Sequence, residues 1–145
     1  MHLLKNGLIV ALLLLGTVLA GCIPTGQPFA QIKDMTNDQA VIYLYRPYNM
    51  VGGAKLYTIL VDQQEMGKLS NGAYEPFVVA PGTHTVELKE DALLRKGYEF
   101  EVTVQSVANG AGYLRFGSEW AAGKADLKTV DAAIATPELV KCKNY

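Results

Sequence analysis

The chain contains few of the residue types from which catalytic and metal sites are usually built. It has two histidines and two cysteines in 145 residues, and of the histidines only His84 lies beyond the first 21 positions. A histidine-based zinc site needs further His or Cys ligands, and a Ser-His-Asp triad would have to use this one histidine. We also find no phosphate-cradling loop, EF-hand loop or GxSxG motif. We therefore expect a protein that is not an enzyme and that holds no metal or separately bound cofactor.

An excess of either charge is also missing. The chain carries 13 Lys and Arg against 14 Asp and Glu, for a formal net charge of −1. Such a balance gives no electrostatic basis for binding nucleic acid or for attraction to anionic lipid. We therefore expect no nucleic-acid partner.

The first 22 residues contain an apolar run that is too short to cross a membrane. A polar start with Lys5 precedes the apolar residues 7–18, whereas a membrane span needs about 18 or more. This arrangement is typical of a secretory signal peptide. The run ends in a pattern that resembles a lipobox, with three signal-peptidase recognition residues before a lipidated cysteine: Leu19, Ala20, Gly21 and Cys22. The alternatives are an ordinary signal peptide with a chance cysteine, or a buried core helix.

Cleavage before Cys22 would define the organisation of the mature chain. Cys22 would carry a diacylglyceryl group and an N-acyl chain, and two or more acyl chains anchor a protein stably. We predict a signal peptide over 1–21, a flexible tether over 22–36, which contains Pro and Gly, and a β-domain over 37–145. Inner-membrane retention in Gram-negative cells usually needs Asp directly after the lipidated cysteine. Ile23 stands there instead, which favours an outer-membrane lipoprotein that faces the periplasm.

Short β-type segments separated by turn residues follow this leader. They predict an all-β fold, a small antiparallel β-sandwich of immunoglobulin or prealbumin type with a short C-terminal helix. Asn71-Gly72 is a strong hairpin signal. Residues 131–135 are read as a short helical stretch, and Thr136 with Pro137 then looks like a helix start. The predicted strands are Ala40–Arg46, Leu56–Asp62, Met66–Leu69, Ala73–Val79, Thr83–Lys89, Tyr98–Gln105, Gly112–Phe116 and Leu127–Val130.

Two of these strands alternate clearly between apolar and polar residues. In the strand Thr83–Lys89, one face carries His84, Val86 and Leu88, so we read His84 as a structural histidine rather than a ligand. In the strand Tyr98–Gln105, the same period turns Tyr98, Phe100, Val102 and Val104 inward. The glutamates between them, Glu99 and Glu101, are then read as a solvated face.

Five short motifs, in this order and spacing, resemble a known bacterial family. They are Val41–Pro47 (VIYLYRP), Val61-Asp62, Gly67–Leu69 (GKL), Asn71–Tyr74 (NGAY) and Pro81–His84 (PGTH). Together they resemble the family of domain of unknown function 2846, whose members are mostly small lipoproteins, over roughly Gln39 to Phe116. The last two motifs are also similar to surface β-domains of the PEGA type. The resemblance implies a small β-sandwich in the cell envelope and brings no catalytic residues.

Aromatic and basic residues provide the candidates for a ligand site. Tyr side chains and Trp suit stacking against sugars or peptides, and Arg46 could bind an anion, although packing and strand-end pairing are the alternative readings. The candidate ligand-binding residues are Tyr45, Arg46, Tyr48 and Trp120. Cys142 is left without a partner in the chain once Cys22 is lipidated. It is read either as a thiol with a lowered pKa or an intermolecular bridge, or as an incidental or half-buried cysteine.

Two function classes remain open at this point. The leading one is a non-enzymatic envelope lipoprotein, held at the membrane by its lipid, whose β-domain is a structural or interaction module for another envelope protein. The other is a lipoprotein that binds glycan or peptidoglycan fragments on its Tyr and Trp side chains. A concave pocket with exposed aromatic residues favours the second.

Overall fold

The computed structural model describes residues 26–119 and 124–144. It contains nine strands and one helix in these ranges. The elements are β1 (Ala40–Tyr45), β2 (Tyr57–Val61), β3 (Gln64–Leu69), β4 (Ala73–Val79), β5 (Gly82–Glu90), β6 (Glu99–Ser106), β7 (Ala111–Glu119), β8 (Lys124–Thr129), α1 (Ala132–Leu139) and β9 (Lys143–Asn144). The predicted signal peptide, its recognition residues, Cys22 and Trp120 lie outside the described residues.

The strands form two sheets, which confirms the predicted all-β sandwich with a short C-terminal helix. One sheet has the order β8-β7-β1-β4-β9 and the other the order β3-β2-β5-β6. Most neighbouring strands are antiparallel. Two pairs are parallel, β1 with β7 and β4 with β9. Within the described ranges no helix is long and apolar enough to cross a bilayer.

Strand β1 is buried on both faces, as expected for a central strand, and its side chains therefore enter two different cores. Ile42 and Leu44 point between the sheets, into what we call the inter-sheet core. Val41, Tyr43 and Tyr45 point the other way, into what we call the outer core, beneath α1. The other buried members of the outer core are Tyr74, Tyr113, Ala135, Leu139 and Cys142.

The alternation predicted for β5 and β6 is present, with one exception. Val86 and Leu88 are fully buried, and Val104 nearly so, whereas Glu99 and Glu101 are exposed. Tyr98 was expected inward, but it precedes the first residue of β6 and is 59% exposed. The period-2 pattern therefore holds only where the ladder with β5 holds.

The predicted helix start at Thr136 and Pro137 is wrong. Helix α1 begins at Ala132, after Asp131, and contains Pro137 in its interior. The local signal for a cap is outweighed by packing, because Ala135 and Leu139 are both fully buried in the outer core. A helix of only eight residues can satisfy that packing although its proline lacks an N–H.

Asn71-Gly72 makes a turn but not the hairpin that the sequence predicts. It joins β3 of one sheet to β4 of the other. Gly72 has a φ of 72°, which glycine adopts without strain. The Asn71 side chain accepts a hydrogen bond from the Asn49 amide and donates one to the Asn49 carbonyl, both at 2.9 Å. This bond pair holds the crossover against the loop after β1.

The segment that the sequence assigns to the tether contacts the domain where it is described. The Phe29 ring packs edge-on against Tyr43 and Tyr74, at 5.3 Å in each case. The Ile32 amide donates to the Tyr43 hydroxyl at 2.6 Å, and the Tyr74 hydroxyl donates to the Pro28 carbonyl at 3.1 Å. Residues 28–32 therefore lie on the outer core instead of extending freely from it.

Candidate functional site

A cleft of about 680 Å³ opens at one end of the sandwich, where β1 and β7 end and β2 and β6 begin. We call this the cleft end, defined by the loops 46–56 and 91–98. The volume is in the usual range for small-molecule sites. The lining residues are Arg46, Pro47, Tyr48, Asn49, Val51, Gly52, Lys55, Tyr57, Tyr98, Phe100, Arg115, Phe116, Gly117, Lys124 and Ala125.

Arg46 is a nearly buried cation within this cleft. It directly follows β1 and is 6% exposed. Its guanidinium donates to the backbone carbonyls of Lys55 at 2.6 Å and Gly52 at 2.7 Å. Burial lowers the pKa of Arg46 from its ordinary value, but an arginine keeps its proton in proteins. A positive charge is therefore held in the cleft.

No carboxylate among the residues whose side chains the structure describes, 26–117 and 124–144, forms an ion pair with Arg46. Its guanidinium also lies over aromatic rings: its Cζ is 5.2 Å from the centre of the Tyr57 ring and 5.9 Å from that of Phe116. The two carbonyl bonds use two of the five guanidinium N–H groups. Buried charges are normally paired, so Arg46 has capacity for an anionic ligand.

The other charged residues that line the cleft are also basic. Arg46, Lys55, Arg115 and Lys124 line the cleft, and no Asp or Glu is among its described lining residues. Two of these cations have acidic partners outside the lining: Lys55 pairs with Glu90 at 3.2 Å, and Arg115 pairs with Glu138 at 2.9 Å.

Aromatic rings form the apolar walls of the cleft. Phe116 contacts Tyr57 and Phe100, with ring centres 4.7 and 4.9 Å apart. At the rim, the Tyr98 ring lies 5.0 Å from both Lys55 Nζ and Arg95 Cζ. Tyr48, also at the rim, is 71% exposed. The site therefore offers stacking surfaces beside its positive charge.

The structure brings two of the four predicted ligand residues, Arg46 and Tyr48, to this cleft. Tyr45 lies elsewhere: it is fully buried in the outer core, where its hydroxyl donates to Glu138 at 2.7 Å. Burial first, and then the bond to Glu138, raise the pKa of Tyr45 above its ordinary value. Trp120 is outside the described residues.

Several cleft residues were missed in the sequence, because they come from strands far apart in the chain. Tyr57 is the first residue of β2, Phe100 is the second of β6, and Phe116 lies within β7. Only the packing of the two sheets brings these rings together. Lys55 had a usable signal, since it lies in the glycine-containing loop that directly follows Arg46 and Pro47.

His84 lies at the opposite end of the sandwich. Its ring nitrogens contact an Asp62 carboxylate oxygen and the Ala80 carbonyl, each at 2.7 Å. The bond to Asp62 raises the pKa of His84. Among the described residues no group of three or more His, Cys, Asp or Glu side chains is arranged to hold a metal ion. His84 thus has a local structural partner.

Cys142 is buried in the outer core and is the free cysteine of the described part of the chain. Its thiol lies 3.5 Å from the Glu138 carbonyl oxygen. Burial first, and then the charge of Glu138, raise its pKa to about 11. The raised pKa disfavours the thiolate, whereas a reactive cysteine has a lowered pKa that favours it.

These features define a small β-sandwich with a cationic, aromatic-walled cleft at one end. Residues 36–130 match the family described as "Protein of unknown function (DUF2846)", and the chain belongs to that family. Searches of curated proteins and of solved structures gave no match.

Proposed function

We propose that this chain is a lipid-anchored protein of the outer membrane, facing the periplasm, and that its β-sandwich is a non-enzymatic binding module. The anchor rests on the sequence from Leu19 to Cys22 and the location on Ile23. The binding role rests on the cleft at Arg46. Another envelope protein remains the partner that we propose for the module as a whole.

The observation that supports a binding role best is the buried positive charge of Arg46, which has no carboxylate partner among the described residues. A negatively charged group that enters the cleft would be desolvated against this guanidinium, with which it can form charge-assisted hydrogen bonds. The rings of Tyr48 and Tyr98 at the rim would contact the rest of such a ligand. This favours, as a second candidate, fragments of envelope glycan that carry a carboxylate.

The anchor is tested by metabolic labelling with a fatty-acid analogue. We expect the wild-type chain to take up the label and the Cys22→Ser variant to lose it and leave the membrane fraction. Label retained on the Cys22→Ser variant would disprove the anchor. Density-gradient separation of the two membranes then tests the location, with Ile23→Asp as the variant that should move to the inner membrane.

The cleft is tested with N-acetylmuramic acid and N-acetylglucosamine, which differ by the lactyl ether group that carries the carboxylate of the first. We expect chemical-shift changes in cleft residues with the first only, and weaker binding in Lys124→Gln. Lys128→Gln, on the same strand but outside the cleft lining, is the matched control. Equal binding of both sugars, or of neither, would argue against a carboxylate site.

A further inference from the structure

The described chain enters the domain at its cleft end. Asn144 in β9 donates from its backbone amide to the Gln27 carbonyl at 3.0 Å. β9 pairs with Ala73 and Tyr74 at the start of β4, and Tyr74 is the register partner of Tyr45, the last residue of β1. Residues 26 and 27 therefore lie near the level at which the cleft opens.

The distance from this entry point to the lipidation site is short. Cys22 precedes Gly26 by four residues. An extended chain spans at most about 3.3–3.6 Å per residue, so four residues reach no further than roughly 14 Å, whatever their conformation. Since residues 28–32 are held on the outer core, they add no length to this connection. A lipid on Cys22 would keep the cleft end close to the bilayer.

The loop 91–98 presents two unsupported apolar side chains at the same end. Leu93 and Leu94 are 98% and 96% exposed, the largest values among the exposed apolar residues of the described chain. In the loop 46–56, Met50 is 85% exposed. Two adjacent leucines exposed to water do not stabilise a loop, but side chains of this type insert into the headgroup region of a membrane.

Basic residues lie at the same end as these apolar side chains. Arg95 and Lys96 directly follow Leu94, and Lys55 and Lys124 line the cleft. Arg95 and Lys55 share Glu90 as an ion-pair partner, at 2.7 and 3.2 Å. The balanced net charge of the chain predicts no attraction to anionic lipid, but the fold gathers these cations at one end. Basic side chains near apolar ones are the combination that binds anionic lipid surfaces.

We propose that the cleft end docks on the surface of the membrane to which the chain is anchored, with Leu93 and Leu94 entering the headgroup region. This inference rests on the lipid anchor of the proposed function. It assigns the exposed loops to an anionic lipid surface and fixes the orientation of the domain, with β-turn 107–110 pointing away from the bilayer.

The test places one fluorophore at either end of the lipidated mature chain. Leu94→Cys and Val107→Cys are both suitable, because Leu94 and Val107 are exposed and Cys142 is buried. The thiol of Cys22 would be blocked by its acyl group in the lipidated chain. The labelled chains are reconstituted in vesicles of phosphatidylethanolamine and phosphatidylglycerol that contain nitroxide-labelled lipid. We expect several-fold stronger quenching at position 94 than at position 107. Equal quenching at the two positions would overturn the proposal.

A second set of variants tests the leucines themselves. With the fluorophore at Met50→Cys, the double change Leu93→Asp and Leu94→Asp should reduce quenching several-fold, whereas Val107→Asp should leave it unchanged. No effect of the double change would overturn the role of the loop. Acyl labelling of Cys22 in the same samples separates the two hypotheses: label present with equal quenching refutes the docking alone, and label absent refutes the anchor and the docking together.

Discussion

The two cores on either side of β1 differ in chemistry. The inter-sheet core is mainly aliphatic and includes Ile42, Leu44, Ile59 and Leu88, all fully buried. The outer core is rich in tyrosine, and the hydroxyls of Tyr43, Tyr45 and Tyr74 each form a hydrogen bond to a segment outside the sheet.

The difference shows how one strand serves two purposes. Aliphatic side chains between the sheets contribute area and close packing, which hold two layers together without direction. The tyrosines add direction, because each ring is buried while its hydroxyl must find a partner. Through those partners the outer core holds both the incoming segment at Pro28 and Ile32 and the helix at Glu138.

Leu44→Ala should have the largest effect, because it opens a cavity in the inter-sheet core. Leu44 is fully buried, and such truncations cost about 2–5 kcal/mol. We expect a lower free energy of unfolding in urea with the two-state slope unchanged. Val107→Ala, at an exposed turn, is the control and should change stability by less than about 0.5 kcal/mol. A loss below about 1 kcal/mol at Leu44 would contradict the assignment of the core.

Cys142 tests whether the outer core stays closed. With a pKa of about 11 instead of 9.0, its thiol is about a hundredfold less ionised near neutral pH, because each pKa unit is a tenfold change. We expect slow reaction with an aromatic disulfide in the native protein and complete reaction in denaturant. A rate in the native protein that matches the denatured one would mean that the outer core opens freely.

Tyr45→Phe should test the hydrogen bonding of the outer core alone, because it removes one hydroxyl group and leaves the buried ring in place. Although burial by itself raises the pKa of Glu138, bonds from Arg115 and Tyr45 bring it below the ordinary value. Losing the Tyr45 bond should cost about 1.5–3 kcal/mol, the range for hydrogen bonds to charged groups. Tyr48→Phe, at an exposed ring, should change nothing measurable. Equal melting temperatures for both variants would show that the hydroxyl is unimportant.

The smallest effect on the free energy of unfolding should come from deprotonation of His84, which belongs to neither core. Its pKa is raised above 6.5, chiefly by the bond to Asp62. The contribution of the charged His84 is therefore fully present below about pH 6.5 and is lost as the pH rises through the folded pKa. Because Asp62 is half exposed, the contribution should stay within about 1 kcal/mol. Unfolding curves from pH 5 to 8 should show this decline in the wild type and lack it in His84→Gln.

The sequence was informative wherever burial alone decides the pattern. The alternation in β5 and the two-sided apolar run of β1 both reflect which faces are covered, so both were predictable. Period 2 also places Tyr45 and Arg46 on opposite faces of the predicted strand Ala40–Arg46, so they could not both enter one cleft, although both were predicted as ligand-binding residues.

The rest depends on pairing between distant segments. Asn71-Gly72 has the same local chemistry whether it closes a hairpin or crosses between sheets. The parallel pairing of β1 with β7 leaves no local trace in either strand. The cleft is hard to predict from the sequence for the same reason, because Tyr57 and Phe116 meet only after both sheets have formed.

The position of β1 has a consequence for how the chain folds. The sheet β3-β2-β5-β6 comes from the middle part of the chain, residues 57–106, in which β4 of the other sheet intervenes. By contrast, β1 must wait for β7 before both of its edges are paired. Such long-range pairing is slow. Until then the segment Ala40–Tyr45 (AVIYLY) is an uncharged, proline-free β-former with an open edge, the type of segment that nucleates aggregation. Refolding yield should therefore fall with protein concentration, and the time that β1 spends unpaired is the most vulnerable stage in the formation of this protein.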